Sequence, residues 1–464
     1  MAYRTLNPFT EERIKDYPEH TDAEVEAALA TADALFRSDW SRGDIAPRLK
    51  VLGRMSELLT ERSGELAEAM ATEMGKLVEQ GAGEIELCAG IAAYYAANAE
   101  AFLKPEQVES DLGEAWVQHQ PIGVLLAVEP WNFPIYQLIR VIAPAIAVGN
   151  PVMFKHAGIV PHCAELFAQL VRDAGAPEGA VTNLYVSSEK VAELIGDDRI
   201  QGVALTGSED AGSKVASKAS EKLKKSTLEL GGADVFVVLD DADIEAAAEV
   251  GTQARLANAG QVCTAAKRFI LHEAIADEFL AAFKANMTAA VLGDPLDPKT
   301  TLGPLSSGDA LKGLTKQVDA AVAAGAKVVV GGKRPDRPGF FFEPTILTDI
   351  DRDNPAYFQE FFGPVAMVHV AKDDDDIVRL ANDSHYGLGG SIFAGDIDRA
   401  RALATRIETG MVFINTATTS MPELPFGGVK RSGYGRELGD VGIKEFVNRK
   451  LVVVSSGEAA QTVG

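Results

Sequence analysis

The sequence of 464 residues is poor in cysteine and has no apolar run approaching the length of a membrane span, which is about 20 residues. Its three cysteines, Cys88, Cys163 and Cys263, stand far apart. This spacing predicts neither a disulfide framework nor a metal site. Residues 1–8 also lack the apolar core of a signal peptide. These absences predict a protein of the reducing cytoplasm, without a membrane anchor.

Basic residues are the minority among the charged ones, with 44 lysines and arginines against 67 aspartates and glutamates, a net charge of −23. Such a chain repels nucleic-acid phosphates and anionic membranes. We therefore expect neither as a partner. A small anionic substrate is compatible with this charge, because one local arginine can override a distant field. The length predicts two or three domains.

Helical periodicity covers residues 22 to about 103, where Val25, Leu29, Ala32 and Phe36 follow Thr21 or Asp22 as a cap. Residues 115–120 then alternate as a strand. From Gly123 onward, short apolar runs alternate with helical stretches, which predicts parallel sheets covered on both faces. The first region has predicted strands at 123–128, 151–155, 181–186, 202–206 and 234–239, and the second at 267–272, 327–331, 365–371, 389–394 and 411–415. The late strand 451–454 is predicted to pair with 115–120 or with another subunit.

Two polar motifs follow predicted strands of the first region, where parallel sheets bind their ligands. Asn132 lies in Glu129-Pro130-Trp131-Asn132-Phe133-Pro134; its amide either stabilises an oxyanion or shapes a turn. The segment from Thr206-Gly207-Ser208 to Lys214 ends a strand and begins a helix. It either approaches a pyrophosphate or is a serine-capped helix, and it matches neither the Rossmann fingerprint nor the Walker A loop.

Two further residues carry chemistry by type and position. Cys263 lies in a loop of small residues downstream of Glu229-Leu230-Gly231-Gly232. It is either a nucleophile served by a carboxylate base or an inert core thiol. Lys155 ends the strand 151–155, and its ammonium either donates to a ribose or is a solvated strand end.

Taken together and in this order, the motifs resemble the NAD(P)-dependent aldehyde dehydrogenases over nearly the whole chain. The matching segments are Pro130-Trp131-Asn132-Phe133-Pro134, Thr206-Gly207-Ser208, Glu229-Leu230-Gly231-Gly232, Gly260-Gln261-Val262-Cys263, Glu360 with Phe362-Gly363-Pro364, and Pro425-Phe426-Gly427-Gly428. The resemblance implies an α/β aldehyde dehydrogenase fold in a homodimer or homotetramer. It implies a Rossmann-like cofactor domain built from residues 1–104 and 122–231. It also implies an α/β catalytic domain at 232–430 and a β oligomerisation arm built from 105–121 and 443–458.

The resemblance also implies roles for four catalytic residues. The Cys263 thiolate attacks the aldehyde, while the Asn132 amide and the Cys263 N–H hold the oxyanion. Glu229 then activates water to hydrolyse the thioester. Glu437 is a proton-relay carboxylate, with a salt bridge to Arg436 or a helix cap as the alternatives.

For the cofactor, the resemblance places Trp131 and Ser208 near the pyrophosphate and adenosine, Lys155 on the adenosine ribose and Glu360 on the nicotinamide ribose. Gly207, Gly231 and Phe362 complete the set. NAD-selective members often carry a glutamate three residues after this lysine, where this sequence has Gly158. Because no carboxylate repels a 2′-phosphate there, we expect NADP to be tolerated or preferred over NAD.

Within the family, the sequence looks most like the short bacterial succinate-semialdehyde dehydrogenases. Arg140, eight residues after Asn132, is predicted to bind the substrate carboxylate, and Tyr136 and Ser420 complete the pocket. The alternative for Arg140 is a structural salt bridge. The alternative functions are oxidation of glutarate semialdehyde or of an aliphatic aldehyde, thioester-forming acyl transfer, and a catalytically silent member of the fold.

Overall fold

The computed structural model describes residues 3–455, so residues 456–458 of the predicted arm lie outside the described part. Two large sheets organise the chain, with a small antiparallel sheet beside them. Over residues 3–455, none of the helices combines the length and the apolar character that crossing a membrane requires. The mixed α/β class predicted from the sequence is confirmed.

The first large sheet has six strands, in the spatial order Gly433–Tyr434, Lys225–Glu229, Ile200–Thr206, Val124–Glu129, Val152–His156 and Val181–Asn183. All pair in parallel except the two-residue strand at one edge. The strand Val124–Glu129 is almost wholly buried, as expected when helices cover both faces. Four of these strands were predicted. Lys225–Glu229 was not, because it begins Lys-Ser-Thr and so lacks an apolar run.

The second large sheet has seven strands, in the order Lys327–Val330, Thr345–Thr348, Val365–Ala371, Arg268–His272, Val235–Val238, Gly390–Phe393 and Phe413–Ile414. Only the first of these pairs antiparallel to its neighbour. The run 234–239, grouped above with the first region, in fact lies inside this second sheet. That grouping was wrong because an apolar run identifies a buried strand but not the sheet to which it belongs.

The small antiparallel sheet joins Val447–Ser455, Gly113–Pro121 and Glu106–Val108. Its register places Val452 opposite Trp116, so the predicted pairing of the late strand with residues 115–120 is confirmed. An unpredicted hairpin pairs Tyr3–Leu6 with Arg13–Tyr17, and Tyr386–Gly387 pairs with Val429–Lys430. The second hairpin strand is exposed except at its last residue, which explains why hydrophobicity gave no signal for it.

Helices cover both large sheets and form the N-terminal layer. Thr21 and Glu24 form a reciprocal capping box that fixes the start of the first helix, as the sequence indicated. The helix Pro134–Val148 is apolar on nearly every side, and all its residues are buried. The helices are Asp22–Phe36, Asp39–Arg42, Ala46–Glu61, Ser63–Met74, Val78–Phe102, Pro134–Val148, Pro161–Asp173, Ser188–Gly196, Glu209–Glu221, Ile244–Leu256, Ala276–Thr288, Gly308–Ala323, Asp374–Asn382, Ile397–Ala404 and Gly439–Gly442, with a 3-10 turn at Ala257–Gly260.

Candidate active site

A strained turn precedes Cys263. Asn258, Ala259 and Gly260 have consecutive φ values of 51°, 53° and 77°, a left-handed conformation that costs a non-glycine residue roughly 1–2 kcal/mol. A Cβ at Gly260 would lie 2.3 Å from the carbonyl of Gly363, so only glycine fits there. The buried guanidinium of Arg255 donates to the Gly260 carbonyl at 2.6 Å and stabilises the turn. Backbone strain held in this way is typical of functional sites.

A cavity of about 280 Å³ opens beside this turn, at the carboxyl edge of the first sheet. It brings together eight of the predicted site residues: Trp131, Asn132, Gly207, Ser208, Gly231, Cys263, Glu360 and Phe362. It is also lined by Gln137 and Thr206, to which the sequence assigned no role. The other predicted residues, Glu229, Glu437, Lys155, Gly158, Tyr136, Arg140 and Ser420, do not line it.

Cys263 differs from the other two cysteines in its exposure. Its side chain is half-buried at the cavity, whereas Cys88 and Cys163 are fully buried. Burial raises the pKa of the Cys263 thiol to about 11, although the nearby Lys267 and Arg140 cations oppose this shift. The thiol is therefore protonated at neutral pH, and its use as a nucleophile requires a proton acceptor.

The Asn132 amide is buried and fixed on both sides. Its Nδ2 donates to the Gln261 carbonyl at 3.1 Å, and its Oδ1 accepts from Gln137 Nε2 at 3.2 Å. Its own backbone carbonyl accepts from Asn258 Nδ2 at 2.8 Å. Asn132 therefore holds the turn before Cys263, and it places an amide donor in the same cavity as the thiol, as the oxyanion interpretation requires.

The opposite wall has the features of a dinucleotide site. Ser208 caps the helix Glu209–Glu221 by accepting from the Ala211 N–H at 3.3 Å, so the serine-capped helix predicted as one alternative is present. Ser208 also lines the cavity, where a helix N-terminus attracts phosphate. A Cβ at Gly231 would lie 2.4 Å from Glu360 Oε2, so the backbone approaches this carboxylate closely. The rings of Trp131 and Phe362 meet edge to face, 5.7 Å apart.

Lys155 and Gly158 lie outside the cavity but along the same sheet edge. Lys155 is in the strand Val152–His156, which pairs with Val124–Glu129, the strand leading to Trp131. Burial lowers the pKa of Lys155, and its Nζ lies 5.5 Å from the centre of the Tyr3 ring. The Gly158 carbonyl accepts from the Arg4 N–H at 3.0 Å, so the N-terminal hairpin packs against this end of the edge. Lys155 is therefore not a solvated strand end.

Three polar residues end adjacent parallel strands on one row: Glu129, Thr206 and Glu229. Thr206 pairs with Glu229, and Val128 pairs with Leu205, which places Glu129 beside Thr206. Neither carboxyl oxygen of Glu229 has a hydrogen-bond partner among residues 3–455. Burial and then the neighbouring Glu437 raise the pKa of Glu229, whereas Arg140 lowers it. The Arg140 cation therefore opposes the effect of burial on both carboxyls of this group.

Arg140 forms a buried ion pair with a carboxylate of the protein. Its side chain is 1% exposed, and its Nε lies 2.7 Å from Glu437 Oε2. Its Nη2 donates to Gln137 Oε1 at 2.5 Å and to Thr206 Oγ1 at 3.1 Å. The salt bridge that the sequence left open as the alternative for Arg140 is therefore present. The salt bridge to Arg436, one of the alternatives for Glu437, is not the observed pair, since Glu437 pairs with Arg140 instead.

One nitrogen of Arg140 is nevertheless left over beside two of the predicted substrate residues. The guanidinium carbon lies 4.7 Å from the centre of the Tyr136 ring, and Tyr136 Oη donates to Ser420 Oγ at 2.7 Å. Within the described residues, Arg140 Nη1 is buried without a hydrogen-bond partner. We call Arg140 Nη1 and the hydroxyls of Tyr136 and Ser420 the tail cluster.

Comparison with known proteins gives consistent results. A model of the aldehyde dehydrogenase family matches residues 1–452. The succinate-semialdehyde dehydrogenase [NADP(+)] of Deinococcus radiodurans is 47% identical over 97% of this chain and 94% of that protein. The crystal structure of Streptococcus pyogenes succinic semialdehyde dehydrogenase in complex with NADP+ is 45% identical, with a TM-score of 0.96 over 98% of this chain and 100% of that one. The structure of Gox0499 is 50% identical, with a TM-score of 0.97 over the same shares.

Proposed function

Because the chain belongs to the aldehyde dehydrogenase family, we propose that it oxidises succinate semialdehyde to succinate, with NADP as the preferred hydride acceptor. The observation that carries the proposal is the single cavity that holds Cys263, Asn132 and the glycine-lined wall at Gly207 and Gly231. The names of the relatives from Deinococcus and Streptococcus support both the substrate and the cofactor.

In the first half-reaction, the Cys263 thiol gives its proton to water as Sγ forms a bond to the aldehyde carbon, and the carbonyl electron pair moves to the oxygen. Asn132 Nδ2 and the Cys263 N–H donate to this oxyanion, in the manner of an oxyanion hole. The cofactor, when bound, supplies the nicotinamide ring that accepts the hydride. The carbonyl re-forms as the C–H bond breaks, which leaves a thioester on Cys263. Trp131, Ser208, Lys155 and Glu360 are the residues that would hold the cofactor, and Gly158 would leave room for its 2′-phosphate.

In the second half-reaction, Glu229 removes a proton from water, the resulting hydroxide adds to the thioester carbon, and the Cys263 thiolate leaves. Glu437 then receives the proton from Glu229. Two observations support this relay: each carboxyl is buried, and both lie in the field of Arg140. Strongly interacting acids share protons as a pair, so the two carboxyls would act as one proton reservoir beside the fixed charge of Arg140.

The tail cluster is the proposed site of the substrate carboxylate. Because Tyr136 donates its proton to Ser420, the Ser420 hydroxyl keeps its own proton for the substrate. Arg140 Nη1 would supply the second donor and the positive charge. Arg140 itself is a poor target for a test, because its removal leaves Glu437 buried without a counter-charge and costs about 3–5 kcal/mol.

We expect Ser420→Ala to lower kcat/KM for succinate semialdehyde by about 10- to 100-fold, the worth of a hydrogen bond to a charged group. The carboxylate loses a donor, whereas butanal has no carboxylate and should be affected less than about twofold. Steady-state kinetics on both aldehydes measure this difference. Tyr136→Phe should also reduce the preference for succinate semialdehyde over butanal. Equal losses on both aldehydes would show that the tail cluster does not bind the substrate carboxylate.

The cofactor preference is tested at Gly158. We expect Gly158→Glu to raise the NAD-to-NADP ratio of kcat/KM by at least about tenfold, because like charges placed together cost several kcal/mol. Gly158→Gln is the matched control, since it adds the same bulk to this buried position without charge and should leave the ratio near that of the wild type. A glutamine variant that shifts preference as far as glutamate would rule out charge as the cause.

The function as a whole is tested by wild-type kinetics on a panel of succinate semialdehyde, glutarate semialdehyde and aliphatic aldehydes, with NAD and NADP. Among these pairs of aldehyde and cofactor, we expect the highest kcat/KM for succinate semialdehyde with NADP. A preference for butanal would favour the general aliphatic alternative, and no oxidation of any aldehyde would leave a silent member of the fold.

We also propose a cytoplasmic homodimer or homotetramer that assembles through the small antiparallel sheet. The free thiols fit a reducing compartment. Leu451 and Val454 on the outer strand are 60% and 54% exposed, an apolar edge suited to a second copy. Light scattering after size exclusion gives the subunit count.

A further inference from the structure

Lys267 is a fully buried lysine that touches both the nucleophile turn and the cofactor wall. Its Nζ donates to the Val262 carbonyl at 2.8 Å and to the Cys263 carbonyl at 2.6 Å. The same nitrogen lies 3.1 Å from Glu360 Oε1. An ammonium has three protons, so these three acceptors use its whole donor capacity.

Among residues 3–455, the contacts that hold the Glu360 carboxylate are made to one of its two oxygens. Its Oε1 accepts from the Gly232 N–H at 3.1 Å and faces Lys267, while its Oε2 lies next to Gly231 on the cavity wall. The side chain is 17% exposed, against 0% for Lys267. The carboxylate therefore has one oxygen anchored in protein and one at the edge of the cavity.

We propose that Lys267 is a positioning residue that locks Glu360 to the Cys263 turn and so sets the distance between the bound nicotinamide ribose and the nucleophile. This inference rests on the proposed function, in which Glu360 binds that ribose. A lysine is suited to the task because its buried charge needs an anion, while its remaining protons tie down the two carbonyls next to the thiol. Without it, the carboxylate loses its counter-charge and is anchored by the Gly232 N–H alone among these contacts.

The consequence concerns hydride transfer rather than thioester hydrolysis. The hydride moves between the aldehyde carbon on Cys263 and a ring whose ribose Glu360 would hold, so both ends depend on this ammonium. A misplacement of about 1 Å costs on the order of 100-fold in rate. Arg255 also holds the turn, through the Gly260 and Ala266 carbonyls, so the turn keeps a second support when Lys267 is changed.

The test is a double-mutant cycle on the burst of NADPH with succinate semialdehyde deuterated at the aldehyde carbon. We expect Lys267→Met to slow the burst by about 10- to 100-fold, to raise the Kd for NADP about tenfold, and to make a primary isotope effect appear on kcat. Glu360→Gln should have a similar effect, and the double variant should be no slower than the slower single one. Lys327→Met, which breaks an ion pair to Asp349 on a lysine that is 77% exposed, is the matched control and should change nothing.

Multiplying effects in the double variant would show that Lys267 and Glu360 act independently, and this would overturn the inference. A wild-type burst rate in Glu360→Gln would overturn it as well, whatever the folding of the Lys267 variants. Titration of NADP by fluorescence reports Glu360 positioning without turnover. A wild-type protein that binds NADP but oxidises no aldehyde therefore contradicts the proposed function. The Kd values of the variants for NADP would still test whether Lys267 positions Glu360.

Discussion

Cys263→Ala is expected to abolish aldehyde oxidation while NADP still binds. In other enzymes, loss of the covalent nucleophile costs on the order of 10⁶ in kcat, so we expect a fall of at least about 10⁴-fold. The other parts of the cavity do not depend on the thiol, because the backbone carbonyl of Cys263, and not its sulfur, holds Lys267. Steady-state turnover measures the loss of aldehyde oxidation, and fluorescence titration with NADP measures whether the cofactor still binds.

Alkylation by iodoacetamide provides the control for that experiment. Cys88 and Cys163 are fully buried, so only Cys263 should be modified in the folded protein, and the alanine variant should not react. The melting temperature should change little, since a half-buried thiol contributes little packing. Turnover near the wild-type rate in the alanine variant, or alkylation of Cys88 with loss of activity, would contradict the assignment.

Much of this site follows from sequence because its parts lie at strand ends. Buried parallel strands are recognisable in a sequence as short apolar runs, and the polar residues that follow them meet at one sheet edge. Asn132 and Ser208 were predicted in this way, with the family resemblance supplying their roles, whereas Gly231 follows an unpredicted strand and came from the resemblance alone; the structure places all three on one cavity. The position of Cys263 beside them was predictable only from the resemblance, because a lone cysteine has no periodic signal.

Other features could not be predicted because they depend on residues far apart in the chain. Arg140 and Glu437 form a buried ion pair across almost 300 positions, and neither local sequence requires the other. The left-handed φ values of Asn258 and Ala259 break the usual preference of non-glycine residues, and tertiary contacts of Arg255 support them. The strand Lys225–Glu229, which carries Glu229, was missed for a local reason, because its polar start gives no apolar run.

Glu229 is the residue whose ionisation the proposed mechanism needs most. Its carboxyl is buried with both oxygens unpartnered among the described residues, and a Cβ at Gly427 would lie 2.7 Å from Oε1, so a glycine makes room for it. Because burial raises the pKa of Glu229, its basic form grows only as the pH rises through that raised value. Hydrolysis of the thioester in the wild type is therefore expected to slow as the pH falls.

Glu229→Gln should separate the two half-reactions. Thiol addition and hydride transfer do not need the proposed water-activating carboxylate, so we expect a burst approaching one NADPH per subunit. Steady turnover should then be slower than wild type by about 100-fold or more, the usual worth of a general base, and should lose its pH dependence. Glu129→Gln is the matched control, because it replaces an equally buried carboxyl on the same row but on the far side of Thr206. It should keep turnover within a few-fold of wild type.

Loss of both burst and turnover in Glu229→Gln would instead assign Glu229 to activation of the Cys263 thiol, whose pKa of about 11 also calls for a base. Stopped-flow absorbance of NADPH distinguishes the two outcomes, since only a deacylation base leaves the first turnover intact.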